Sequence, residues 1–372
     1  MSFFGGRTAP YLLLAYALIA LFASLNPISG WRDSGVDPWA FMRDPWPRYL
    51  TRFDWLVNIA AYVPMGFLAV LALPARLSSG KSRAALVAAV LLAVLGCSLF
   101  SWAMEACQTY LPMRVPAVSD WVANTIGGAV GAIGAALAAL LLASQPGWQR
   151  FFSQCFVPHA GAMQTLVGLW MLAQLHPVSA SFVTGRFVPE LMQWVGSTSG
   201  VPIAARWFDA SAALSADQFA LLESVAGGVG LVGLLALGRM VLQPAAPRLA
   251  MLLLLLAGAV VAKSIASALQ FGPASLFAWW TDGAQGALLA GVLAAMLLAY
   301  LPRPWVVLLG VAALMLLLAL ANAIPDNPYF AATLTRWHEG RFINFFGLTQ
   351  ALAAAWPFAA MAALTFRSWK KP

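Results

Sequence analysis

The chain has 372 residues, 62% of them hydrophobic and only 9% charged, with a mean hydropathy of +0.80. Globular domains carry about a quarter charged residues, so there is too little polar surface here to cover a water-soluble particle. A soluble enzyme, a secreted disulfide scaffold and a disordered chain are excluded, and the net charge of +8 needs an explanation other than nucleic acid.

A bilayer core takes about 20 apolar residues per spanning helix. Apolar runs bounded by Pro, Gly or charge predict about ten spans, at roughly 8–26, 54–74, 84–107, 120–144, 161–176, 217–238, 249–269, 282–301, 305–324 and 344–366. The fold class is therefore all-α, a polytopic transmembrane helix bundle. Arg7 ahead of the first run resembles a signal peptide. A retained helix is preferred, because its closing Leu25-Asn26-Pro27-Ile28-Ser29 is echoed by Leu175-His176-Pro177-Val178-Ser179. The fifth run is the shortest. Cys97, Cys107 and Cys155 make neither a metal spacing nor an even disulfide set.

Orientation follows from the Lys/Arg asymmetry. The two termini and every second loop hold Arg7, Arg76, Lys81, Arg83, Arg150, Arg239, Arg248, Arg303, Arg367, Lys370 and Lys371 without an acid among them. Nearly every acid lies on the other side. Both termini are expected in the cytoplasm, N-in/C-in, in the cytoplasmic (inner) membrane. The positive charge then faces anionic lipid headgroups, and the partner is the bilayer rather than nucleic acid. The outward loops are rich in Trp and Pro, as in Pro38-Trp39-Ala40-Phe41-Met42-Arg43-Asp44-Pro45-Trp46-Pro47. Such segments either anchor at the headgroup level or form a lid over an outward-facing site.

The chain also echoes itself. Asp54 precedes Arg76 by 22 residues and Asp217 precedes Arg239 by 22; Gln108 precedes Asp120 by 12 residues and Gln270 precedes Asp282 by 12. These matches fall in order at corresponding helix ends, which predicts a degenerate four-helix repeat. Four is even, so the copies would be parallel rather than inverted. The predicted division is residues 1–150, 151–303 and a C-terminal helix pair at 304–372.

Intramembrane ionisable groups are costly and are functional candidates by default. In the first copy Asp54 and Asn58, Glu105 and Gln108, and Asp120 and Asn124 stand three or four residues apart, so each pair shares a helical face. Asn58, Glu105 and Asn124 lie about one turn below the outer rim. Arg114, in the connecting loop, is placed to pair with Asp120 or Glu105. The expected result is a polar cup opening outward. Asp54 and Asp120 also stand where a carboxylate caps a helix N-terminus, and that role accounts for them equally well. Glu105, near a C-terminal end, needs a partner. Gln108 and Asn124 can cross-link helices, and Gly127, Gly128, Gly131 and Gly134 read as a close-packing face. The second copy has Ser267 in place of Glu105 and Gly286 in place of Asn124. It carries Glu223 and Lys263 instead, which are expected to form an intramembrane ion pair. His159, His176 and His338 stand too far apart for a metal set, so no metal and no cofactor is expected. A nucleotide fingerprint and a Ser-His-Asp arrangement are lacking.

The ordered set Asp54-x-x-x-Asn58, Pro64-x-Gly66, Glu105-x-x-Gln108, Arg114, Asp120-x-x-x-Asn124 and Gly127, Gly128, Gly131 resembles the VanZ-like family of integral membrane proteins, over about residues 10–140. The ending Arg341-Phe342-Ile343-Asn344-Phe345-Phe346-Gly347-Leu348-Thr349-Gln350, leading into Trp356-Pro357-Phe358, resembles the tail of longer bacterial members. The resemblance implies a cell-envelope role and, in some members, reduced susceptibility to teicoplanin-type lipoglycopeptides. Three classes follow as expectations. The first is a protein binding an amphiphilic envelope molecule such as a lipid-linked glycan or a glycopeptide. The second is an acid–base enzyme using Glu105 and Asp120 on a lipid-linked glycan. The third is a transporter or flippase coupled through Glu223 and Lys263. The first is favoured.

Overall fold

The computed structural model describes residues 8–368 apart from 27, 45, 47–51, 79–81, 144–145, 159, 179, 189–190, 193–194, 196–213 and 324–342. The described residues are helical or irregular, with no strand, and nine of the helices are long and apolar enough to cross a membrane. The chain divides into two compact units, Met1–Thr165 and Leu166–Pro372.

The first unit holds α1 (Thr8–Leu25), α2 (Arg52–Ala72), α3 (Ala75–Ser78), α4 (Arg83–Gln108), α5 (Val118–Ala143) and α6 (Pro146–Cys155). It also takes the start of α7 (Gly161–Ala173). Ser82 caps α4 by accepting from the Ala85 N–H, the standard way to satisfy a free helix-end donor. Leu91, Leu95 and Leu99 line one exposed face of α4, as expected of a surface turned to lipid.

Parallel helices α2 and α5 form the tightest seam. A Cβ added to Gly66 would lie 2.0 Å from the Gly128 carbonyl oxygen; on Gly127 it would lie 2.1 Å from that of Ile59, and on Gly131 1.9 Å from that of Val63. Only glycine permits such backbone-to-backbone approach, and in lipid this dispersion contact replaces the missing hydrophobic drive. The close-packing face predicted from Gly127, Gly128 and Gly131 is therefore present. Toward one end of the three helices lies a dry cluster of Val70, Ala89, Ala93, Ala132 and Ala135. The opposite end is polar. Cys97, Cys107 and Cys155 are free thiols, and Cys97 is buried against Tyr62 and Met65.

The second unit holds the rest of α7, then α8 (Ala216–Val241), α9 (Arg248–Phe271), α10 (Asp282–Tyr300), α11 (Arg303–Ala323) and α12 (Ile343–Ser368). α8 starts with a capping box of Ser215 and Gln218, and Thr281 caps α10. α8 and α10 also run parallel, but small side chains separate them: Gly227 faces the Ala287 Cβ, Gly228 that of Ala290, and Gly291 the Leu231 side chain. α11 closes on α8 through Gly310 against Ala236 and Gly233 against Leu314.

The fifth predicted span needs correction in length. α7 has 13 residues, about 20 Å at 1.5 Å per residue, against a hydrocarbon core of about 30 Å. It stops because the Leu175 and His176 N–H groups turn back to Leu172 and Ala173, and Pro177 has no N–H with which to continue. The number of full-length spans among the described residues is thus nine rather than ten.

Candidate functional site

The polar end of the first unit is built in two layers. The inner layer centres on Glu105, only 3% exposed, in the last turn of α4. One carboxylate oxygen accepts from the Ala117 N–H at 2.9 Å, in the loop leading to α5. That bond supplies a donor to a charge standing at the unfavourable end of a helix dipole. Ser101 precedes Glu105 by one turn and its hydroxyl accepts from the Asn124 carboxamide at 2.9 Å. The Asn124 Oδ1 is buried with no partner, and the Tyr62 hydroxyl stands within hydrogen-bond reach of Ser101 and close to Glu105. Unsatisfied buried polar atoms cost about 1–3 kcal/mol each, which makes this layer conspicuous.

The outer layer is more open. Asp120 is half-buried, bonded by the Ser119 hydroxyl at 3.3 Å, with the Asn58 carboxamide within reach and Asp54 close enough to act on it electrostatically. Asp54 is exposed, in the first turn of α2. Glu105 lies within electrostatic range of Asp120. Asp54, Asn58, Glu105, Asp120 and Asn124 are thus all at one end of α2, α4 and α5.

Two predicted members make their hydrogen bonds elsewhere, with Arg114 still within electrostatic range of Glu105. Arg114 makes no ion pair with Asp120 or Glu105: its Nε donates to the Asn26 carbonyl and a terminal nitrogen to the Ala23 carbonyl, both at 3.0 Å. It therefore serves the C-terminal carbonyls of α1, where a cation suits the dipole. Gln108 likewise donates to the Ser24 carbonyl at 3.0 Å. Both stitch α1 to the α4–α5 corner. The reason is reach: the end of α1 presents carbonyls within 3.0 Å of these donors.

Sequence reading missed the hydroxyl partners. Ser98 accepts from the Trp121 indole and from Thr125, both at 3.1 Å. Ser101 stands four residues before Glu105 on the same helical face, a spacing that would have found it. The Trp-rich segment after α1 is folded against this end of α4. The Arg32 N–H donates to Tyr110, Trp39 stacks on Trp102 with ring centroids 4.2 Å apart, and Phe41 is 1% exposed. Pro27 and Pro47 lie outside the described residues.

In the second unit the expected ion pair is not a contact. Glu223 is buried, and its two oxygens accept from the Ser181 N–H and the Thr281 hydroxyl, each at 2.8 Å. Lys263, also buried, acts on it only at longer range. An ion pair within 4.0 Å joins Arg43 and Asp37, on the surface. Glu223 is satisfied by a loop N–H and a cap hydroxyl, which cost less to bring together than two desolvated charges. Arg341, Phe342, His159 and His338 lie outside the described residues. No group of His, Cys, Asp and Glu able to hold a metal occurs among the described residues.

These features define a multi-pass, helical membrane protein with three acids at one end of its N-terminal unit, of which Glu105 is buried. Residues 9–141 match the family model VanZ/LLP1, so this stretch is similar to that family, and the match ends before the second unit begins. No curated protein and no solved structure shows significant similarity to the chain.

Proposed function

We propose that the N-terminal unit binds the polar head of an amphiphilic envelope molecule at the outer leaflet, a lipid-linked glycan or a teicoplanin-type lipoglycopeptide. The observation that carries this reading is Glu105, buried at the polar end beside an Asn124 Oδ1 that lacks a partner. Such a cluster is costly unless something uses it. Three carboxylates in one place favour hydroxyl and ammonium donors over phosphate. The Trp39–Trp102 stack at the same end suits an interfacial ligand.

This reading puts both termini in the cytoplasm, which requires α7, shorter than the hydrocarbon core, to return the chain across the membrane together with the residues that follow it. Single cysteines at Ser34 and Ser153, in a background lacking the native three, should label only from outside and only from inside respectively. Labelling of Ser153 from outside overturns the orientation.

The function is tested by Glu105→Gln, which retains an acceptor for the Ala117 N–H and removes the charge. In a strain lacking the gene, wild type should lower teicoplanin susceptibility, and the variant, present in membranes at the same level, should lose most of that protection. Equal protection by both proteins would make Glu105 structural. No protection by wild type would reject this ligand class.

A further inference from the structure

The second unit, outside the matched region, brings three arginines to one of its ends. Arg239 lies in the last turn of α8, Arg248 opens α9 and Arg303 opens α11. The helix ends meet because the connections are short. Gly238 of α8 faces the Leu252 and Leu255 side chains of α9. The Arg239 Nε donates at 3.1 Å to the carbonyl of Leu298, in the last turn of α10, and only Leu301 and Pro302 separate α10 from α11. The end of α12 comes back to the same place, since Gly310, two turns into α11, faces Leu364.

The sequence of this end carries one sign of charge. Residues 239–248, 300–305 and 366–372 contain Arg239, Arg248, Arg303, Arg367, Lys370 and Lys371, and no Asp or Glu. Tyr300 and Trp305, beside Arg303, are exposed. Amphipathic aromatic side chains belong at the membrane–water boundary, so this end stands at headgroup level.

The three arginines differ in surroundings. Arg303 is exposed. Arg248 is half-buried, and its Nε donates to the Gln243 carbonyl at 3.2 Å, which holds it at the α8–α9 turn. Arg239 is only 2% exposed, and its Nη1 is buried with no partner. Among the described residues, the charges that act on Arg239 are Arg248 and Arg303, both of its own sign. A guanidinium stays protonated at neutral pH. The repulsion and the unused donor therefore both persist until an anion answers them.

We propose that Arg239, Arg248 and Arg303 form a binding site for a phosphate group, carried by an acidic lipid or free in solution. Arg239 is the anchor, held in place by Leu298, and the two more open arginines complete the charge around the bound group. Planar guanidinium forks match phosphate oxygens in pairs. Basic pockets between membrane helices suit acidic headgroups, and the level marked by Tyr300 and Trp305 favours the lipid as the source.

The test is thermal unfolding of the purified full-length protein in dodecyl maltoside at constant ionic strength. The probes are dioctanoyl phosphatidylglycerol and sodium phosphate, with dioctanoyl glycerol as the uncharged control. At least one phosphate-bearing probe should raise the melting temperature saturably, and dioctanoyl glycerol should not. Arg303→Gln should weaken the apparent Kd about tenfold, and Arg239→Gln should abolish the shift. Arg76→Gln removes the same charge from an exposed position on α3 of the first unit and should change nothing. Response to sodium phosphate assigns a free anion; response to the lipid alone assigns a headgroup. The proposal is overturned by no saturable shift with either phosphate-bearing probe, or by an equal shift with dioctanoyl glycerol. An undiminished shift in Arg303→Gln, or equal weakening by Arg76→Gln, overturns it as well. Arg303 is exposed, so the test holds even where Arg239→Gln fails to fold.

Discussion

The two units solve the same packing problem with similar parts and arrive at opposite chemistry. Each pairs two parallel helices through a glycine-bearing seam, α2 with α5 and α8 with α10. Each also ties a glutamine near the end of its third main helix to a carbonyl at or just past the end of its first: Gln108 to Ser24, and Gln270 to Leu175, both at 3.0 Å. These parallels support the proposed four-helix repeat. Yet the first unit gathers Asp54, Glu105 and Asp120 at its polar end, whereas the second lines a cavity with Arg186 and His176.

The largest effect should come from the seams, where the units differ in kind. In the first, backbone meets backbone; in the second, side chains stand between. Gly131→Ala would drive a Cβ to 1.9 Å from the Val63 carbonyl oxygen, and that backbone cannot move aside. A loss of about 3 kcal/mol is expected. Gly291→Ala meets only the ends of Leu231 and Leu256, at 2.9 and 3.2 Å, which can rotate. The better helix propensity of Ala offsets part of its strain, leaving a loss of about 1 kcal/mol or less. Unfolding both variants in mixed detergent would measure the pair. Equal losses would mean the two seams are not different after all.

The sequence displayed the scaffold and half of the first site, for a reason rooted in helical periodicity. Spacings of three and four put Asp54 with Asn58 and Asp120 with Asn124 on shared faces, and a helix honours that arithmetic. The same rule reaches Ser101 from Glu105. It says nothing about Arg114, whose partners are chosen by distance across a loop and are carbonyls at the end of α1. It also cannot show the second unit's cavity, because His176, Thr184 and Gln350 meet only after the loop following α7 is pinned by Asn322 and Ala353. Pro357 was visible as part of a motif. Its structural consequence, the Ala353 carbonyl released to the Gly185 N–H of that loop, was not.

The smallest effect separates stitching from recognition. Gln108 was grouped with the acids because it shares a helical face with Glu105, yet it donates to the end of α1. Gln270 makes the corresponding bond in a unit that lacks the acid cluster. If both are cross-links, Gln108→Leu and Gln270→Leu should each lose about 1 kcal/mol, the usual worth of an interhelical hydrogen bond in a membrane protein. Teicoplanin protection at matched membrane levels should then be unchanged by Gln108→Leu, in contrast to Glu105→Gln. Protection lost in Gln108→Leu without loss of stability would return Gln108 to the site, and the likeness between the two corners would then be one of shape without shared purpose.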